Sequence, residues 1–100
     1  MDLPVACTLS PDALTARRQG LLADLMRDCT SREDLADGMR LTFSAADEVL
    51  ARLAETIAAE RRCCRFLRFR ITVEAAGGDI SLELTGPKGT PEFLAALLDL

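Results

Sequence analysis

"LRFRITVEAAGGDISLEL", residues 67–84, decides the fold. Leu67, Phe69, Ile71 and Val73 alternate with Arg68, Arg70, Thr72 and Glu74, so a strand here has one apolar and one polar face, with Phe66 in step with the polar set. "EAAGGD" breaks the alternation with Gly-Gly at its centre, and Ile80, Leu82 and Leu84 restart it as a returning strand. The pattern is that of a β-hairpin. In it Glu83 lies opposite or diagonal to Arg70, a cross-strand pair worth a few tenths of a kcal/mol up to about 1.

Upstream, the apolar period lengthens from 2 to 3.6. "SAADE" (44–48) opens a helix with Ser44 as cap, Asp47 returning the contact as a variant capping box, and Asp47 and Glu48 at the positive helix end. Leu50, Leu53 and Ile57 form the predicted buried stripe, and its continuation reaches Glu60 and Cys64. Cys63 lies about 100° around the helix from Cys64, toward the flank. Before this helix, Met39, Leu41 and Phe43 alternate with Arg40 and Thr42 as a half-buried strand, and the polar "TSREDLADG" (30–38) is expected as a turn leading into it. Earlier still, Ser10-Pro11-Asp12 starts a helix whose apolar stripe is Leu14, Leu21, Leu25 and Cys29, with Gly20 weakening it. Pro4–Leu9 is a first strand that turns Cys7 inward.

Downstream, Gly86, Pro87 and Gly89 end the hairpin. A last helix follows, with Thr90 as cap, Pro91 at its first position, and Phe93, Leu94, Leu97 and Leu98 on its apolar side. The order is then β-α-β-α-β-β-α, one α+β domain spanning 1–100. From the second strand onward it matches the first five elements of a ferredoxin-like split β-α-β fold, with the amino-terminal strand in place of the missing last one. This predicts a four-stranded, mainly antiparallel sheet in the order 1-2-4-3 with helices on one face. The other face carries Arg40, Thr42, Phe66, Arg68, Arg70 and Glu83, and is either solvated or the place where two protomers meet.

Composition narrows the functional classes. The formal charge is −4, but Glu60 and the five arginines between 60 and 70 give that segment +4 and leave −8 on the rest. A basic patch on an acidic chain fits a local anionic partner or a second subunit and disfavours nucleic acid. Trp and Tyr are absent, so Phe alone would have to stack on bases. Met1-Asp2-Leu3-Pro4 lacks the start of a secretory signal, and no apolar run is long enough to cross a bilayer. The expected compartment is the cytoplasm, where Cys7, Cys29, Cys63 and Cys64 are thiols rather than a disulfide framework. With no histidine in the chain, Ser-His and Cys-His catalytic pairs are excluded, and no convincing acid-base pair replaces them. An enzyme is therefore the third reading.

"ERRCCRFLRF" (60–69), "LELTGPKGTPEFL" (82–94) and "ACTLSPDALTARRQ" (6–19) together resemble a family of small uncharacterised bacterial proteins with an E-R-x-C-C-x-F-L-x-F motif. The similarity covers nearly the whole chain, and the double cysteine is its most specific part. Similar segments occur beside or attached to MerR-type (mercury-resistance-type) metal regulators, so the resemblance implies a soft-metal connection by neighbourhood. It carries over no activity, and Glu60, Arg61, Cys63, Cys64, Phe66, Leu67 and Phe69 transfer as signature positions only.

Two functional readings follow. In the first, Cys63 and Cys64 bind a soft cation such as Hg(II), Cu(I) or Zn(II), with Cys7, Cys29 or Glu60 completing the donor set. Flanking arginines favour the thiolates, whereas the carbonyl end of a helix opposes them. Adjacent helical cysteines cannot easily grip one ion together, and a disulfide between them needs a strained eight-membered ring. In the second, the chain is a non-catalytic dimerisation or protein-interaction module. The cysteines then pack, Glu60 is held in a structural ion pair, and Arg61, Arg62, Arg65, Arg68 and Arg70 face solvent or hold an anion, a protein partner or the other half of a homodimer. "TGPKG" lacks the full phosphate-loop spacing and reads as a turn.

Overall fold

The computed structural model describes residues 21–98, so the predicted strand Pro4–Leu9, the Ser10 helix start and Cys7 lie outside the described residues. Within that range the chain forms α1 (Leu21–Arg27), β1 (Cys29–Leu35), β2 (Gly38–Phe43), α2 (Asp47–Cys63), β3 (Arg68–Val73), β4 (Ile80–Thr85) and α3 (Thr90–Leu97). The four strands make one sheet in the order β1-β2-β4-β3, and every neighbouring pair is antiparallel. Strands β2 and β3 consequently run parallel with β4 between them, joined over one face by α2. This is the split β-α-β arrangement of a ferredoxin-like sheet.

The strand beside β2 is supplied by Cys29–Leu35, whose residues from Thr30 onward are expected from sequence to form a turn. The helix before it stops at Arg27, short of Cys29. The reason is positional. An edge strand covered on neither face has no need of apolar residues, so "TSREDL" carries no period-2 signal. Only Ala36 and Asp37 turn between β1 and β2, and Gly38 already belongs to β2, where a Cβ would overlap the Leu84 carbonyl of β4.

All three helices lie on the sheet face that holds Met39, Leu41 and Phe43 of β2 and Ile80, Leu82 and Leu84 of β4, and Leu25, Val49, Leu53 and Leu94 close the core over them. The buried line of α2 is Val49, Leu53, Thr56 and Glu60, half a step around from the predicted one. Leu50 is 36% exposed and Ile57 half-buried. Thr56 tolerates burial because its hydroxyl donates to the Arg52 carbonyl one turn back, at 2.8 Å. Neither predicted side-chain cap forms. Helix α2 starts from Ala46 rather than Ser44, and α3 from Gly89, at φ 98°, with Thr90 inside the helix.

The 3-10 turn Ala75–Gly77 closes the second hairpin. Ala76 (φ 57°) and Gly77 (φ 75°) take the left-handed conformations, one residue before the predicted Gly-Gly centre, and Gly78 N–H donates to Ala75 C=O at 3.1 Å. Beyond Phe69 the apolar face of β3 is less covered than its pattern predicts: Ile71 is 36% and Val73 55% exposed.

Candidate functional site

The double cysteine closes α2. Cys63 is its last residue and Cys64 its cap, with φ −110° and ψ 71°. The Cys64 N–H still donates to the Glu60 carbonyl at 2.7 Å, and its own carbonyl accepts from Leu67 at 3.1 Å, so the corner leading into β3 is tied by backbone bonds on both sides. Cys64 is fully buried and clusters with Phe66, while Leu67 and Phe93 pack against the pair. The rings of Phe66 and Phe93 meet edge to face, 5.0 Å apart at 83°. Phe66 therefore leaves the open sheet face assigned to it by the alternation, because β3 begins only at Arg68.

Glu60 reaches the interior, as its place on the helix predicts, and is 3% exposed. The Cys64 thiol donates to its Oε2 at 3.6 Å, within the range of a sulfur hydrogen bond. Glu60 and Thr56 are the polar members of an otherwise apolar lining, with Leu25, Leu41 and Leu82, around an interior cavity of about 20 Å³. That space is about the size of a single water. The side chain of Cys63 lies outside the described residues, as does Cys7. Cys29 is a free thiol on β1, at the opposite edge of the sheet from β3, and donates to the Ser31 carbonyl at 3.2 Å. Cys29 and Cys64 thus belong to different apolar clusters. Among the described residues no three His, Cys, Asp or Glu side chains converge as metal donors.

The arginine cluster divides in two. Arg61, Arg62 and Arg65 are exposed around the helix-to-strand corner, whereas Arg68 and Arg70 stand on the open face of the sheet. There the strand register aligns Glu33, Arg40, Glu83 and Arg70, one from each strand. Arg40 donates to Glu33 at 2.9 Å and to Glu83 at 2.7 Å, and Glu83 faces Arg70 at 3.7 Å. The result is a row of alternating charge across the whole sheet. Arg40 is held protonated beyond its ordinary range, first by the Glu83 hydrogen bond and then by the field of Glu33. The expected Arg70–Glu83 pair is part of this row. Glu33, its first member, escapes sequence reading, because it faces Arg40 only once residues 29–35 are recognised as a strand.

Next to the row, Arg68, Arg70, Glu83, Thr85 and Asp37 line an open depression of about 380 Å³ in which two cations meet two carboxylates. That balance gives an anion no net attraction. At "TGPKG" the Thr90 hydroxyl donates to the Pro87 carbonyl at 2.6 Å, so the segment is a closed turn, as its composition predicts.

The sheet ends on two unlike edges. On β1, Arg32 and Asp34 point to the helix side opposite Leu41 and Met39, and the register shifts between Cys29 and Ser31. Inward charges and an irregular register both hinder the addition of another strand. On β3 the pairing with β4 is regular through all six residues, and the helix-side positions Phe69, Ile71 and Val73 are apolar. No helix among the described residues is long and apolar enough to cross a membrane. Compared with known proteins, the chain matches no protein-family model, no curated protein and no solved structure.

Proposed function

We propose that the chain is a non-catalytic interaction module, working as a homodimer or against another protein, in which the double cysteine is structural. One observation carries this reading. Cys64 is fully buried in a cluster with Phe66 and donates its thiol hydrogen to Glu60, while the partly exposed apolar and cationic side chains collect on β3. A sulfur held in that way contributes core volume and one weak hydrogen bond. The free thiol of Cys29 also fits a reducing compartment, which keeps the cytoplasm as the proposed location.

The soft-cation reading has one observation in its favour. The Cys64 thiol and the Glu60 carboxylate already sit at hydrogen-bond distance, and together they offer two of the donors such an ion requires. Its other donors would have to come from outside the described residues. The comparison that separates the readings is a titration of the reduced protein with Hg(II) and Cu(I) against a competing chelator, beside a Cys63→Ser/Cys64→Ser double mutant. Equal affinity in both proteins is the expected result. Tighter one-to-one binding by the unmutated chain overturns the module and restores the metal site, together with the MerR-type association implied by the motif.

A further inference from the structure

We propose that the partner at the β3 edge is a second copy of this chain, paired antiparallel β3 to β3 about Ile71, so that two four-stranded sheets join into one of eight. The inference deepens the reading of the chain as an interaction module by naming the surface, the partner and the register.

The backbone fixes which residues face the partner. Just past β3, the Glu74 N–H donates inward to the Asp79 carbonyl of the β4 side at 3.2 Å. Along a regular antiparallel ladder the inward-bonding residues alternate with outward-facing ones, so Phe69, Ile71 and Val73 turn their N–H and C=O groups toward the outer edge. Among the described residues no strand pairs with that edge. Unpaired strand groups beside apolar side chains form a template for β-addition, and the inward charges and broken register of β1 are missing from β3.

Charge then selects the occupant and the register. Pairing centred on Arg70 sets Arg70 against its own copy, a like-charge contact on the same face, which disfavours it. Pairing centred on Ile71 uses the whole strand. It joins Ile71 to Ile71 and Phe69 to Val73 through outward backbone groups, and it places Arg68 of each copy opposite Glu74 of the other. The two-fold axis repeats every contact, giving two Arg68–Glu74 pairs. It also sets the Phe69, Ile71 and Val73 strips of both copies side by side on the helix-covered faces, where Ile71 and Val73 are partly exposed in the single chain. One strand thus carries both the cation and the anion that a symmetric antiparallel partner requires.

The test uses the full chain. Sedimentation equilibrium over a wide concentration range, with hydrogen exchange at both ends of that range, should show a monomer–dimer equilibrium and Phe69, Ile71 and Val73 amides protected only where the dimer forms. Arg68→Glu alone and Glu74→Arg alone turn two attractions into two repulsions, and each should weaken the dimer about tenfold. The combined Arg68→Glu/Glu74→Arg protein should recover most of the affinity, which a merely damaged fold would not. A monomer at every concentration overturns the proposal, as does a dimer indifferent to the charge reversals. Protection of the three amides independent of concentration overturns it too, by showing that the edge is covered within one chain. Failure of the pairing leaves the structural role of Cys64 standing, whereas metal affinity that depends on Cys63 and Cys64 removes that role without touching β3.

Discussion

At the scale of single residues, side chains of the same chemical type receive different environments from a rotation or a one-residue shift. Arg68 lies three positions after Arg65, yet it stands on a sheet face while Arg65 is exposed at a helix-to-strand corner. Helical spacing makes part of this legible: it carries the buried line of α2 to Glu60 and Cys64, both of which are inside. It misjudges the start of the same helix, where Val49 and not Leu50 points inward, because two adjacent apolar residues leave the rotation undetermined by half a step. The hairpin turn shows a similar one-residue shift. Gly-Gly marks its position, but the chain puts Ala76 into a left-handed conformation (φ 57°, ψ 38°), which disfavours a residue with a Cβ. Ala76→Gly should therefore raise stability by about 0.5–1 kcal/mol, the relief of strain exceeding the added freedom of the unfolded chain. Urea unfolding of the two proteins measures it, and a loss of stability would show that the turn carries no such strain.

At the scale of elements, burial decides what sequence can announce. Strands β2 and β4 display their apolar alternation because one face of each is covered, and so does the start of β3. Strand β1 is held by register and by charge. Its Glu33 meets Arg40, which also holds Glu83, and Arg70 completes the row on the far edge. In this row Arg40 stands between two carboxylates. Arg40→Gln leaves Glu33 and Glu83 on either side of a neutral amide, so it should lower the urea midpoint, and the difference should shrink as salt is raised to about 1 M, where charges are screened within about 3 Å. A deficit independent of salt would assign the loss to packing. The sign for pH follows from the same group. The folded pKa of Arg40 is raised, so its contribution is complete below the unfolded value and fades only as pH rises through the folded one, beyond the ordinary working range. The Arg40 side of the row should leave stability flat through neutral and moderately alkaline pH.

At the scale of the whole molecule, the sheet order follows from two hairpins and one crossover, and a sequence reading reaches it even when a different segment supplies the fourth strand. The topology needs a strand antiparallel to β2 on its outer side, and Cys29–Leu35 fills that position directly through a two-residue turn. What such a reading does not reach is how the last helix is fastened to the middle of the chain. The Phe66 and Phe93 rings meet across the corner where α2 gives way to β3, so α3 is pinned there as well as to the main core. Edge-to-face pairs at this distance contribute beyond the area they bury. A double-mutant cycle of Phe66→Leu and Phe93→Leu, read by urea unfolding, should therefore return a coupling of about 0.5–1.5 kcal/mol. Leucine keeps both positions apolar, so the cycle isolates the ring contact from simple loss of core volume. Additive single mutants would place the attachment of α3 in the main core alone. Coupling in the expected range would make the Cys64 corner a second anchoring point for α3.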